Sequence, residues 1–121
     1  MGVKATRLDG WTDYTPEVKG NTGADAVRCQ IRPLSPALHA LLAQTGRQTA
    51  ELQRDILMTC SRQLQNYTGV KGEDIDEPWR LLTDDAGKEG ATYVLAVVNA
   101  IAGMTYGAIR LGESDAPSAS S

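Results

Sequence analysis

Val27-Arg28-Cys29-Gln30-Ile31-Arg32-Pro33-Leu34-Ser35-Pro36-Ala37-Leu38-His39-Ala40-Leu41-Leu42 carries two hydrophobic periods, one on each side of a proline. Before Pro33, Val27, Cys29 and Ile31 alternate with Arg28, Gln30 and Arg32, the period of two expected of a half-buried strand. After it, Leu34, Leu38, Leu41 and Leu42 recur at helical spacing. Ser35 followed by Pro36 is a helix start: the serine hydroxyl can accept from an orphan amide, and proline at the first helical position forfeits no hydrogen bond. The stretch is therefore the joint where a small sheet hands over to a helical body.

Working back toward the N-terminus, Met1 to Leu8 alternates weakly and is a strand or arm candidate. Pro16 limits Trp11 to Lys19 to an edge strand or a loop, because proline cannot donate to a ladder. Lys19-Gly20-Asn21-Thr22-Gly23 is a loop whose glycines accept positive φ. These pieces predict a meander of two or three short strands ending at Arg32.

Working forward, the first helix should run from Pro36 to Thr45 and close at Gly46. Thr49 then caps a second helix. Leu52, Ile56, Leu57, Cys60 and Leu64 form its apolar stripe and predict a single helix to about Asn66, with Met58 assigned to the core. Asn66 to Pro78 has no helical period and holds four acids in Glu73 to Glu77, a flexible acidic loop. Pro78 to Leu82 is a short helical turn pinned by Trp79. A last helix begins near Ala91 and buries Val94, Val97, Val98, Ile101 and Ala102, with Leu95 broadening that face. Gly112 ends the pattern. The fold expectation is α+β, mainly helical: a short N-terminal antiparallel β meander followed by three to four helices in one domain over residues 1–112, then a disordered Ser/Ala-rich tail over 113–121.

With 121 residues, 41% hydrophobic and 22% charged, the chain has one core's worth of material, and without phenylalanine that core must be aliphatic. A net charge of −3 gives no electrostatic case for nucleic acid or an acidic membrane. The charge is uneven: residues 1–70 hold eight Lys/Arg and six Asp/Glu, a balance of +2, whereas residues 71–121 hold four and nine, a balance of −5. That asymmetry is read first as a solvated acidic loop, and as a second reading it suits copies packing head to tail. Cys29 and Cys60 sit on apolar faces as small hydrophobes rather than disulfide partners, so a reducing compartment is expected. The first residues lack the pattern of a secretory signal. Tyr93 to Ile109 is interrupted by Asn99 and Thr105 and falls short of a membrane span.

Catalysis needs convergent polar groups, such as a nucleophile beside a base. One histidine, His39, has no second ligand at metal spacing, the acids of Glu73 to Glu77 lack calcium-loop spacing, and the serines crowd into the tail. The expectation is no catalytic, metal or cofactor site. A protein that works by contact is the default.

In order, the pieces are a tryptophan-bearing meander, a strand entering Ile31-Arg32-Pro33-Leu34-Ser35, two helices, Asn66-Tyr67-Thr68-Gly69-Val70, an acidic loop and a final helix with a polar tail. From roughly Trp11 to Gly112 this order resembles the tail assembly chaperones of long-tailed, siphovirus-like bacteriophages. The resemblance implies a cytoplasmic protein of the infected bacterium that coats the tape-measure protein before tube polymerisation, keeps it soluble and is absent from the mature virion. It also implies self-association, and a longer frameshifted form whose extra domain recruits the tail tube protein. This chain resembles the short form. The alternative is a structural phage component retained in the particle, a head-tail connector or minor tail protein. No catalytic residues come with the resemblance. A coating protein must leave apolar helix surface available. The candidates are Leu38, Leu41 and Leu42 on the first helix and Met104, Tyr106 and Ile109 near the end of the last, unless these residues only complete the core.

Overall fold

The computed structural model describes residues 10–45 and 49–113, with side-chain surroundings as far as residue 105. In chain order it holds β1 (Thr12–Tyr14), β2 (Arg28–Ile31), α1 (Pro36–Thr45), α2 (Ala50–Cys60), β3 (Ser61–Gln65) and α3 (Gly90–Glu113), with 3-10 helices at Pro78–Leu82 and Asp84–Ala86. The α+β class is observed, as three α-helices and one antiparallel sheet of order β1-β2-β3 among the described residues. The expected Met1 to Leu8 strand, the Gly46 cap and the tail beyond residue 113 lie outside the described residues.

The sheet is not purely N-terminal. Its third strand comes from mid-chain, where one continuous helix to Asn66 was expected. At Ser61 the backbone turns extended (φ −143°, ψ 156°), and its amide and hydroxyl both donate to the Leu57 carbonyl, the hydroxyl at 2.6 Å. The chain then pairs with β2, Ile31 against Ser61, Gln30 against Arg62 and Arg28 against Gln65. Three steps along β3 answer two along β2, so β3 contains a bulge. Gln63 occupies it at φ +56°. The extra residue turns Arg62 and Gln63 both outward and lets Leu64 return to the core.

Packing then follows from the two periods. Cys29 and Ile31 of β2, with Val27 just before it, face inward and meet Leu52, Ile56, Leu57 and Cys60 of α2 and Val94, Val97, Val98 and Ile101 of α3. Six of these, Ile56, Leu57, Cys60, Val97, Val98 and Ile101, are fully excluded from solvent. Burial of each of the Val, Leu and Ile side chains contributes about 1.5–3 kcal/mol. Tyr14 ties the edge strand to α3 by donating to the Ala96 carbonyl at 3.4 Å. Asn21 closes the loop before β2, accepting from the Val27 amide at 2.6 Å and donating to the carbonyls of Pro16 and Val27. Gly20 and Gly23 take φ of +86° and +84°, the conformations the loop reading required.

Further expectations change. Residues 66–78 are folded rather than loose: Thr68 bridges Asp74, Ile75 is buried, and the Leu64 amide donates to the Asp76 carbonyl. The Tyr67 hydroxyl donates to the Ala86 carbonyl at 2.6 Å and its ring meets Tyr93 edge-on at 5.4 Å. Met58 and Leu95, both assigned to the core, stand 53% and 51% exposed on the outer faces of α2 and α3. Gly112 does not end α3, which continues to Glu113. Among the described residues no helix is long and apolar enough to cross a membrane.

Candidate interaction surfaces

The two helices that follow the proline joint differ in what they bury. α2 carries Thr49 as N-cap, its hydroxyl accepting from the Leu52 amide at 3.2 Å, and sinks four apolar side chains into the core. α1 starts as expected, with the Leu38 amide donating to Ser35 Oγ at 3.3 Å, yet none of its residues is buried. From Pro33 to Gly46 the sequence holds no Asp, Glu, Lys or Arg. A surface helix of a monomer ordinarily sets a charged face against solvent. α1 has none to set.

Of the six residues proposed to meet a partner, Leu38, Leu42 and Met104 rest half-buried against the core, and Leu41 is 41% exposed. The side chains of Tyr106 and Ile109 lie outside the described residues. The segment leading into α1 is tied to α3 at Leu34: Thr105 Oγ1 accepts from the Leu34 amide at 2.7 Å and donates to the Ile101 carbonyl at 2.8 Å. The buried hydroxyl thus anchors the approach to α1 beside the Met104 turn of α3. The joint from Pro33 to Pro36, legible as a strand-to-helix handover, is also where α1 is tied down.

A second surface escaped sequence reasoning. Trp11 and Asp13 on the β1 side share the outward face of the sheet with Gln30, Arg32 and Arg62. The guanidiniums of Arg32 and Arg62 lie 4.6 and 4.2 Å from the Trp11 ring centroid, within cation–π range. Arg32 Nε donates to the Thr59 carbonyl at 2.9 Å, and Arg62 Nε to Gln30 Oε1 at 2.9 Å. Gln30 in turn donates to Asp13 Oδ1 at 3.0 Å. The alternation of Arg28, Gln30 and Arg32 announced an outward face. Arg62 joins it only because β3 exists, which the helical expectation hid.

On the opposite electrical sign, Asp74, Asp76, Glu77 and Asp84 stand exposed on the segment after β3. Asp76 pairs with Arg80 at 3.6 Å and the half-buried Asp85 with Lys71 at 4.0 Å, both weak in solvent.

The reactive groups of the core are held inert. Burial pushes the Cys29 thiol up to about 12, and burial raises Cys60 as well, partly countered by the nearby Arg32 charge. Cys60 donates to the Pro33 carbonyl at 3.5 Å. Burial also raises Tyr67 and Tyr14 above the usual phenol value. Among the described residues no three His, Cys, Asp or Glu side chains come together in a metal-holding group.

Comparison of the chain with protein-family models, curated proteins and solved structures finds no match.

Proposed function

We propose that this chain is a bacteriophage tail assembly chaperone: it binds the tape-measure protein in the cytoplasm of the infected host, keeps it soluble during tail morphogenesis and leaves before the virion is complete. The observation that carries this is α1, a charge-free helix with no buried residue, presenting Leu41 and the flanks of Leu38 and Leu42. A helix of that kind gains free energy by laying its apolar surface against an extended or helical client. Met104, half-buried beside the Thr105 anchor, is the corresponding candidate on α3. The work is contact and not turnover, and copies of the chain associate with one another while the client is covered. A longer form carrying a domain for the tail tube protein fits the same scheme.

Co-expression with the tape-measure protein tests this. The client should move from the insoluble to the soluble fraction with this chain and stay insoluble with Leu41→Glu. Mass spectrometry of purified virions should then find no copy of the chain. A fixed copy number in the particle would instead make it a connector or minor tail protein. Unchanged client solubility would refute the chaperone role.

A further inference from the structure

The outward sheet face gathers two half-buried arginines around one tryptophan. Arg32 and Arg62 share one indole, and each is oriented through Nε by a fixed acceptor, the Thr59 carbonyl or the Gln30 amide oxygen. Their terminal nitrogens are left to other partners. Among the described residues neither guanidinium has a carboxylate within 4.0 Å. Asp13, on the same face, is engaged by Gln30. Two like charges beside one ring repel, and a carboxylate brought against this face relieves that repulsion. Guanidiniums oriented through Nε by fixed acceptors suit planar, two-oxygen partners.

We propose that the Trp11–Arg32–Arg62 cluster is a carboxylate-docking site whose occupant is the acidic segment Asp74–Glu77 of a second copy of this chain. The complementary surface is on the molecule itself: Asp74 and Glu77 are exposed and, among the described residues, have no cation within 4.0 Å. The hairpin that carries them is fixed, the Gly69 amide donating to the Glu73 carbonyl and the Leu64 amide to the Asp76 carbonyl. An overall charge of −3 disfavours a polyanionic nucleic acid on this platform. Because the two surfaces differ, the contact is head-to-tail and propagates into a ring or a filament instead of stopping at a two-fold dimer. This rests on the self-association proposed above and names its surface.

Sedimentation velocity on the full chain decides it. Wild type should associate with rising concentration and dissociate as salt screens the contact. Arg32→Gln/Arg62→Gln and, separately, Asp74→Asn/Glu77→Asn should each weaken association at least about tenfold, with near-ultraviolet circular dichroism unchanged. Mixed, the two neutral variants should form dimers and nothing larger, since each retains one half of the contact. Variants that associate like wild type would overturn the docking site while leaving self-association standing. A wild type that stays monomeric would overturn the site, while client solubilisation is judged by the co-expression test. Tight binding of a labelled single-stranded oligonucleotide, lost in Arg32→Gln/Arg62→Gln, would overturn it in favour of nucleic acid.

Discussion

α1 and α2 are neighbouring helices of nearly equal length, ten and eleven residues, and they are built on opposite rules. α2 pairs a buried stripe with an outer face of Glu51, Arg54 and Asp55, so its stability comes from the core and its solubility from charge. α1 buries nothing completely and displays no charge. The contrast separates two uses of leucine: Leu52 and Leu57 hold the molecule together, whereas Leu41 is available to something outside it.

Truncation should expose that difference most strongly. Leu57→Ala, in a fully enclosed site, should cost about 3 kcal/mol of unfolding free energy by the lost burial and the cavity left behind. Leu41→Ala should change stability by no more than about 0.5 kcal/mol. Urea denaturation of both variants checks the pair, and equal losses would make α1 an ordinary core helix.

Gly90→Ala attacks the body from another side. The added methyl would run into the Leu81 carbonyl oxygen and lie 3.0 Å from the Ala86 side chain, where α3 begins against the 3-10 turn. Such overpacking should destabilise by about 1–3 kcal/mol, visible as a lower midpoint in the same titration. Gly103→Ala, on the same helix with open space around it, should be neutral or slightly stabilising.

Thr105→Val probes the tie between the body and α1. It leaves the Leu34 amide without its acceptor in a buried position, at a cost of about 1–3 kcal/mol. Hydrogen exchange should quicken in α1 more than in α2. The reverse order would mean that α1 is held by its leucines and not by its entry.

A smaller effect comes from the inert thiols. The folded-state value of Cys29 lies above its ordinary value of 9.0, near 12, so its burial favours the folded state fully below pH 9. That contribution is lost as pH rises from 9 toward 12, because the unfolded chain ionises there and the folded chain does not. Alkylation of Cys29 should accordingly follow the unfolding rate, and Cys29→Ala should flatten the alkaline limb of the stability profile.

Much of this body was legible in the sequence because periodicity and capping are local. Cys29 and Ile31 are buried from β2 with Val27 buried just before it, Thr49 caps α2, and Val94, Val97, Val98 and Ile101 form one buried face, as their spacing implied. The end of α2 was not legible. From Leu57 through Cys60 and Ser61 to Leu64 the inward steps are three, one and three, and a bulged strand that skips a residue has the spacing of a helix. Only pairing with β2, a contact across some thirty residues of chain, distinguishes them, as in the Gln30–Arg62 pair. The Trp11–Arg32–Arg62 cluster was hidden by the same error. The acidic stretch looked flexible because its order comes from Tyr67 and Ile75, single apolar residues without a period. On α1, the leucines were recognised as candidates, and their incomplete burial is what the fold adds.

Hydrogen–deuterium exchange of α1, measured with and without the tape-measure protein, tests most directly whether this helix is a contact surface. Amides from Leu38 to Thr45 should exchange readily in the free chain and become protected on client addition, with those of α2 unchanged. Protection of α1 already complete in the free chain, or none gained when the client is present, would contradict it.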